Sequence, residues 1–353
     1  MEKKILKWMT GCMGAITMMA CLCLYFMPEI EEAWAMTLKE AQNVMQQDTI
    51  VEIEIQQAVQ QNIPVEEEKE QLYIELPEGI DGKDISIEND YLHQVIYVRF
   101  ARGIEDYAKD YSVRGSSNHI ASLTYYKEGK KGVLELALDK VCEYTYSFKD
   151  GYLCMRLLEP HEIYDKVIVI DAGHGGKDSG AVKNGVEEKE LNLDIVRQLK
   201  AIFEDAGDKD IKVYYTRLTD KSVSLVERAA LANKAGADLF ISVHNNASNS
   251  GNFNNENGTM VLYSPSDKNE YNSKRLAKLC LKQVTNSADS KDLGLRAADD
   301  IYVVRVCDAP AVLIEAGYMT NYRELDNLQD KAYQKKLAKG IYNAIMEAFE
   351  EGF

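Results

Sequence analysis

The run Lys166-Val167-Ile168-Val169-Ile170-Asp171 is apolar without alternation and stops at Ala172-Gly173-His174-Gly175-Gly176. A strand of that kind is buried on both faces, so it belongs in a sheet covered by helices on both sides. The downstream pattern agrees. A helical stretch over about 187–206 is followed by a strand at Val213–Thr216, a helix near Leu225–Lys234 and a strand at Asp238–His244. A polar loop over 245–258 leads to a strand at Thr259–Tyr263 and a helix around Lys274–Val284. The apolar segments Ile301–Val304 and Ala311–Glu315 and a closing helix near Ala332–Phe349 complete the chain. Alternation of this kind predicts an α/β domain over 166–353, with a largely parallel central sheet flanked by helices. In such sheets, sites form at the carboxyl ends of strands.

The preceding part reads differently. Over 71–160, short strands such as Val95–Phe100 and Val133–Leu138 are separated by Gly, Asp and Asn clusters, which predicts a small β-sandwich-like domain. Asp150-Gly151 is a two-residue turn signal that pairs Lys149 with Tyr152. Phe148 then faces Leu153, Tyr146 faces Met155 and Tyr144 faces Leu157, all on one apolar face. That register puts Cys142 on the core face and Cys154 on the other, which disfavours a disulfide between them. Residues 36–70 are rich in Gln and Glu and suggest a polar stalk.

Residues 1–35 hold Lys3, Lys4 and Lys7, an apolar run from Trp8 to Met27, then Pro28 and acidic residues. That length is enough to span a bilayer core of roughly 30 Å, and the flanking charges orient the remainder outward. A membrane anchor fits best, with a signal peptide cleaved after Ala33-Trp34-Ala35 and a lipid-modified Cys21 as alternatives. Each predicts an extracytoplasmic body, anchored through the N-terminal helix or secreted to the cell wall. Seven cysteines, three of them inside the apolar run, with no CxxC pair, indicate neither a disulfide framework nor a thiolate metal site. A net charge of −16 excludes a nucleic-acid partner and adsorption to anionic surfaces by simple attraction.

Four residues carry candidate chemistry. His174 sits among glycines just past a buried strand, where backbone and ligand can approach closely; taken alone, it reads equally as a solvated loop histidine. Glu188 lies three residues before Leu191 and seven before Ile195, on the inward stripe of its helix, unlike Glu187 and Glu190. An acidic first turn alone would explain the cluster, but not that placement. His244 ends one buried strand and Glu315 another. A carboxylate so placed must be paired, with Arg217 and Arg228 as candidate partners, or serve a metal. Two histidines and one carboxylate are an established catalytic zinc set that leaves a position for water. A carboxylate that is not a ligand can then move the proton.

These residues fall in ordered motifs: Ile170–Asp178, Gly185–Leu193, Thr216-Arg217, Phe240–Asn246 and Pro310–Asn321. From about Val167 onward, the chain resembles the zinc-dependent N-acetylmuramoyl-L-alanine amidases of bacterial cell walls. The resemblance implies that His174, Glu188 and His244 hold Zn2+ and that Glu315 is the catalytic glutamate. It also implies peptidoglycan as substrate, cut between N-acetylmuramic acid and L-alanine in wall remodelling, daughter-cell separation or spore-related lysis, with cell-division or sporulation proteins as possible partners. Ala172 stands where the family usually has proline, and the segment from Pro265 to Gly294 leaves no room for the autoinhibitory helix of some members. The β region from Leu72 to Pro160 is loosely similar to AMIN-type wall-targeting domains. Two other readings remain: a zinc peptidase of the stem peptide, weakened by the lack of HExxH, and an inactive wall-binding regulatory module, weakened because all four positions are intact.

Overall fold

The computed structural model describes residues 51–52, 71–266 and 272–353. The predicted anchor over 1–35 lies outside the described residues, as does the stalk apart from Val51–Glu52. Among the described residues, no helix is long and apolar enough to cross a membrane.

The first unit is a two-sheet β-sandwich. Its strands are β1 (Val51–Glu52), β2 (Gln71–Glu75), β3 (Ile85–Asp90), β4 (Val95–Phe100), β5 (Val113–Gly115), β6 (Ile120–Glu128), β7 (Lys131–Leu138), β8 (Glu143–Lys149) and β9 (Tyr152–Leu158), with a one-turn helix α1 (Tyr107–Asp110). One sheet runs β1-β6-β7-β4-β3 and the other β5-β2-β9-β8. β1 comes from the stretch expected to be stalk and pairs with Tyr125 and Thr124. Alternating residues of the two inner faces, among them Ile74, Ile96, Val98, Phe100, Leu134, Leu136 and Met155, form one core. The Asp150-Gly151 hairpin has the predicted register, Lys149 to Tyr152 through Tyr144 to Leu157. Its apolar face is only half covered, because β8 is a sheet edge: Leu153 and Met155 are buried, while Tyr146 and Phe148 stay exposed. Cys142 and Cys154 are not joined by a disulfide, and both are buried, although the register put Cys154 on the face away from the core.

The second unit begins with β10 (Lys166–Ala172), the small hairpin β11 (Val182–Lys183) and β12 (Val186–Glu187), α2 (Glu188–Ala206), β13 (Ile211–Tyr215), α3 (Leu225–Ala235) and β14 (Leu239–Asn246). It continues with β15 (Thr259–Tyr263), α4 (Asn272–Ala288), β16 (Asp292–Ala297), α5 (Tyr302–Val306), β17 (Ala311–Tyr318), α6 (Tyr322–Gln329) and α7 (Lys331–Glu350). The sheet order is β13-β10-β14-β17-β15-β16. All pairings in it are parallel except β15 with β17, so the sheet is mixed rather than uniformly parallel. The hairpin β11–β12, the helix α6 and the edge strand β16, whose Asp292-Leu293-Gly294-Leu295-Arg296 lacks a continuous apolar run, lie outside the sequence expectation. The apolar segment Ile301–Val304 caps and begins the short α5.

Local chemistry sets the helix ends. Ser224 and Glu227 form a capping box at the start of α3, and Gly207 and Gly236 end α2 and α3 in the left-handed conformation. One face of the sheet buries Ile168, Ile170, Ile241, Val243, Val312 and Ile314 under α2, α4 and α7. The opposite face buries Val167, Val169, Phe240 and Leu313 under α3 and α5.

The sandwich is docked on that second face. Its Leu92 and Val141 are members of the α3-side cluster. Glu143 accepts hydrogen bonds from Tyr91 (2.9 Å) and Tyr214 (2.7 Å) and pairs with Lys212 (2.7 Å). Two bonds tie the sandwich to the end of α3: Val141 N–H to the Lys234 carbonyl at 3.0 Å, and Lys234 Nζ to Gln94 at 2.8 Å.

Candidate active site

β10, β14 and β17 lie side by side and end together, with His244 paired to Glu315. Beyond β10 the chain turns sharply: His174, Gly175 and Gly176 all have positive φ (59°, 129° and 59°). The His174 conformation is uncommon for a residue with a Cβ and needs outside support. Two buried arginines supply it. Arg217 donates to the carbonyls of Ala172 (2.9 Å) and Gly173 (2.8 Å), and Arg228 to those of Ala172 (2.7 Å) and His174 (2.6 Å). Arg228 also pairs with Asp171, which accepts from Thr216 (2.7 Å) and Ser242 (2.6 Å). Burial disfavours the Asp171 carboxylate, but Arg228 and the two hydroxyls outweigh it and hold its pKa below the ordinary value. Both arginines named as possible partners of Glu315 are therefore committed elsewhere.

Glu188 opens α2 and is 5% exposed, with its carboxylate turned inward as the helix phasing predicts. Its Oε2 lies 3.2 Å from His174 Nε2 and its Oε1 2.9 Å from His244 Nδ1. The imidazole rings meet edge to face at 4.8 Å. One donor atom from each of His174, Glu188 and His244 lies within 4.8 Å of the others, so the three could hold a metal ion. Asp178 Oδ2 accepts from His174 Nδ1 at 2.8 Å, which fixes the tautomer that leaves Nε2 facing the cluster. Burial opposes a charged His174, but Glu188 and Asp178 reverse that and lift its pKa to about 9. Burial likewise opposes the Glu188 carboxylate, and the two histidines override it, holding the group well below the carboxylate range.

Glycines make the space. A Cβ on Gly173 would lie 2.1 Å from His244 Nε2, and one on Gly180 would lie 2.5 Å from Glu188 Oε2. This close backbone approach is the reason for glycine at both positions.

Glu315 differs from the other three. Its Oε2 is buried and has no hydrogen-bond partner among the described residues. Burial, partly opposed by His244, pushes its pKa up to about 7. A carboxyl group poised there can both take and give a proton near neutrality. The structure thus brings all four predicted residues together. It adds Asp178, Arg217, Arg228 and Asn192, which donates to the Gly173 carbonyl at 3.1 Å. Asp178 lies within the Ile170–Asp178 motif, but only the turn at His174–Gly176 folds it back onto His174, which residue spacing alone does not show.

Residues 168–347, about half of the chain, match the family model described as N-acetylmuramoyl-L-alanine amidase. The chain belongs to the N-acetylmuramoyl-L-alanine amidase family. This amidase is 36% identical to the uncharacterized protein YqiI of Bacillus subtilis, over 56% of the chain and 91% of that protein. It is 33% identical to the N-acetylmuramoyl-L-alanine amidase LytC of the same organism, over 53% of the chain but only 36% of LytC. The crystal structure of N-acetylmuramoyl-L-alanine amidase from Clostridium difficile 630 is similar at 31% identity and a TM-score of 0.50, covering 53% of this chain and 98% of that one. The amidase hydrolyses the amide between N-acetylmuramic acid and L-alanine in peptidoglycan.

Proposed function

We propose that the amidase is a zinc enzyme, with His174, Glu188 and His244 as ligands and Glu315 as the proton-transfer group. The observation that carries this reading is the partnerless Glu315 oxygen beside a converging two-histidine, one-carboxylate set. A set of two histidines and one carboxylate, with no thiolate, would fit a catalytic rather than a structural zinc. When bound, zinc lowers the pKa of water and polarises the scissile carbonyl. Asp178 holds His174 in its ligating tautomer, and Arg217 and Arg228 fix the loop that carries it. Glu315 takes the proton of the attacking water and passes it to the alanine nitrogen, which leaves as a free amine.

Peptidoglycan as substrate puts the reaction outside the cytoplasmic membrane. We assign wall targeting to the sandwich, supported by the exposed aromatic edge of Tyr146 and Phe148 on β8. Division or sporulation is the fitting context. Digestion of purified peptidoglycan followed by mass spectrometry tests the activity: peptides with free N-terminal alanine and intact glycan are expected. New ends inside the stem peptide would point to a peptidase instead. Glu315→Gln should keep zinc and lose roughly 100-fold or more in rate; an unchanged rate removes Glu315 from the mechanism.

A further inference from the structure

We infer that Arg296 anchors a carboxylate of the stem peptide, and that the peptide runs from the scissile bond across Met260 to reach it. This deepens the amidase reading and rests on it. Glu315 must face the nitrogen that it protonates, so the alanine side of the bond lies on the Glu315 flank of the site. On that flank, β17 is followed by β15 and then by the edge strand β16. Glu315 pairs with Met260, and Leu313 pairs with Leu262, which in turn pairs with Arg296. Directly paired residues project from the same face of a sheet, so Glu315, Met260 and Arg296 share one face.

Strand spacing puts the Arg296 backbone about 10 Å across and about 7 Å along from that of Glu315. Three to four extended residues, at about 3.3 Å each, cover that span. Met260 is half-buried and forms the floor, and Leu262 and Leu313 beyond it are covered by Val303 and Val304 of α5.

The charge argument is independent of the register. The chain carries −16, and every linear peptide ends in a carboxylate, so an anionic peptide needs a local cation here. Lys189 is committed to Asp220 and Glu187, and Arg217 and Arg228 to backbone carbonyls. Arg296 is 53% exposed, and its contact to Asp300 is 3.5 Å, long for a charge-assisted bond, with Asp300 itself 70% exposed. Its guanidinium fork is therefore available, and it matches a carboxylate in two-pronged geometry.

Arg296→Gln is tested on two muramoyl peptides of the same length, one ending in a free carboxylate and one amidated. The expected result is a roughly tenfold rise in KM for the carboxylate substrate, little change for the amidated one, and partial recovery in Arg296→Lys. Zinc content should match the parent. Equal loss on both substrates, or loss on neither, overturns the assignment. Calorimetric binding of the product peptide reads the same contact without turnover. A parent chain that binds the peptide through Arg296 yet cleaves nothing would instead count against the amidase reading.

Discussion

Replacing Gly173 by alanine tests the site through one methyl group. The new Cβ would lie 2.1 Å from His244 Nε2, 2.3 Å from Cε1 and 2.6 Å from Cδ2. Ordinary carbon contacts lie at about 3.5–4.0 Å, so the ring must retreat by more than about 1 Å. Zinc–nitrogen bonds of about 2.0–2.1 Å tolerate only about 0.2 Å of error. His244 would therefore leave the coordination sphere. Losing an outer-shell partner typically weakens metal binding about 10- to 100-fold, so losing a ligand should weaken it by at least about 100-fold. The fold should survive, because Gly173 does not use positive φ. Lower unfolded-state entropy, worth about 0.4–1 kcal/mol, offsets part of an overpacking cost of about 1–3 kcal/mol.

Two assays separate these effects. Competition with a chromogenic chelator reads zinc affinity directly. Thermal unfolding without zinc should shift by only a few degrees. At a zinc concentration 100 times the parent Kd, linkage stabilises the parent by about 2.7 kcal/mol, and a variant 100-fold weaker by only about 0.4 kcal/mol. Zinc affinity within about threefold of the parent would refute the placement of His244 in the metal site.

Two further outcomes follow from the charges. His174 has a pKa of about 9 in the metal-free protein and must be neutral to ligate, so zinc should displace close to one proton at pH 7, with affinity rising as pH rises towards 9. Calorimetry in buffers of different ionisation enthalpy counts that proton; none released contradicts the ligand role. Arg228→Met strands the buried Asp171 carboxylate and should cost about 3–5 kcal/mol, read as a lower denaturant midpoint; a midpoint equal to the parent's would show that the pair is dispensable. Because the native Asp171 pKa is depressed, the stability from this pair is complete above the unfolded value of about 3.9 and is lost as pH falls through the native one.

The sequence was most legible where one periodicity settled one question. Leu191, Ile195 and Leu199 fixed which acid of α2 turns inward, and the register of the β8–β9 hairpin followed from Asp150-Gly151 alone. It was least legible at edges. β16 has exposed polar residues and a glycine, so nothing in its pattern separates it from a loop until β15 is there to pair with. The supports of the His174 loop were also hidden. Arg217 and Arg228 read as possible partners of a carboxylate, whereas they chiefly satisfy carbonyls of a turn whose shape is not encoded in any residue spacing. Asp171 likewise looks like the polar end of a strand until Thr216, Ser242 and Arg228 close around it.

The sandwich donates Leu92 and Val141 to the core beneath α3, and α3 also carries Arg228, which holds the His174 loop. The boundary near residue 160 is therefore a poor place to cut. Trimming the chain there would uncover two apolar sockets and orphan Lys212 and Tyr214, which now meet Glu143. A shortened enzyme would then report on a catalytic unit with an injured flank, and any fall in its activity towards intact walls would mix loss of the proposed targeting with a slackened loop. Point substitutions on the outer strands of the sandwich keep those two causes apart.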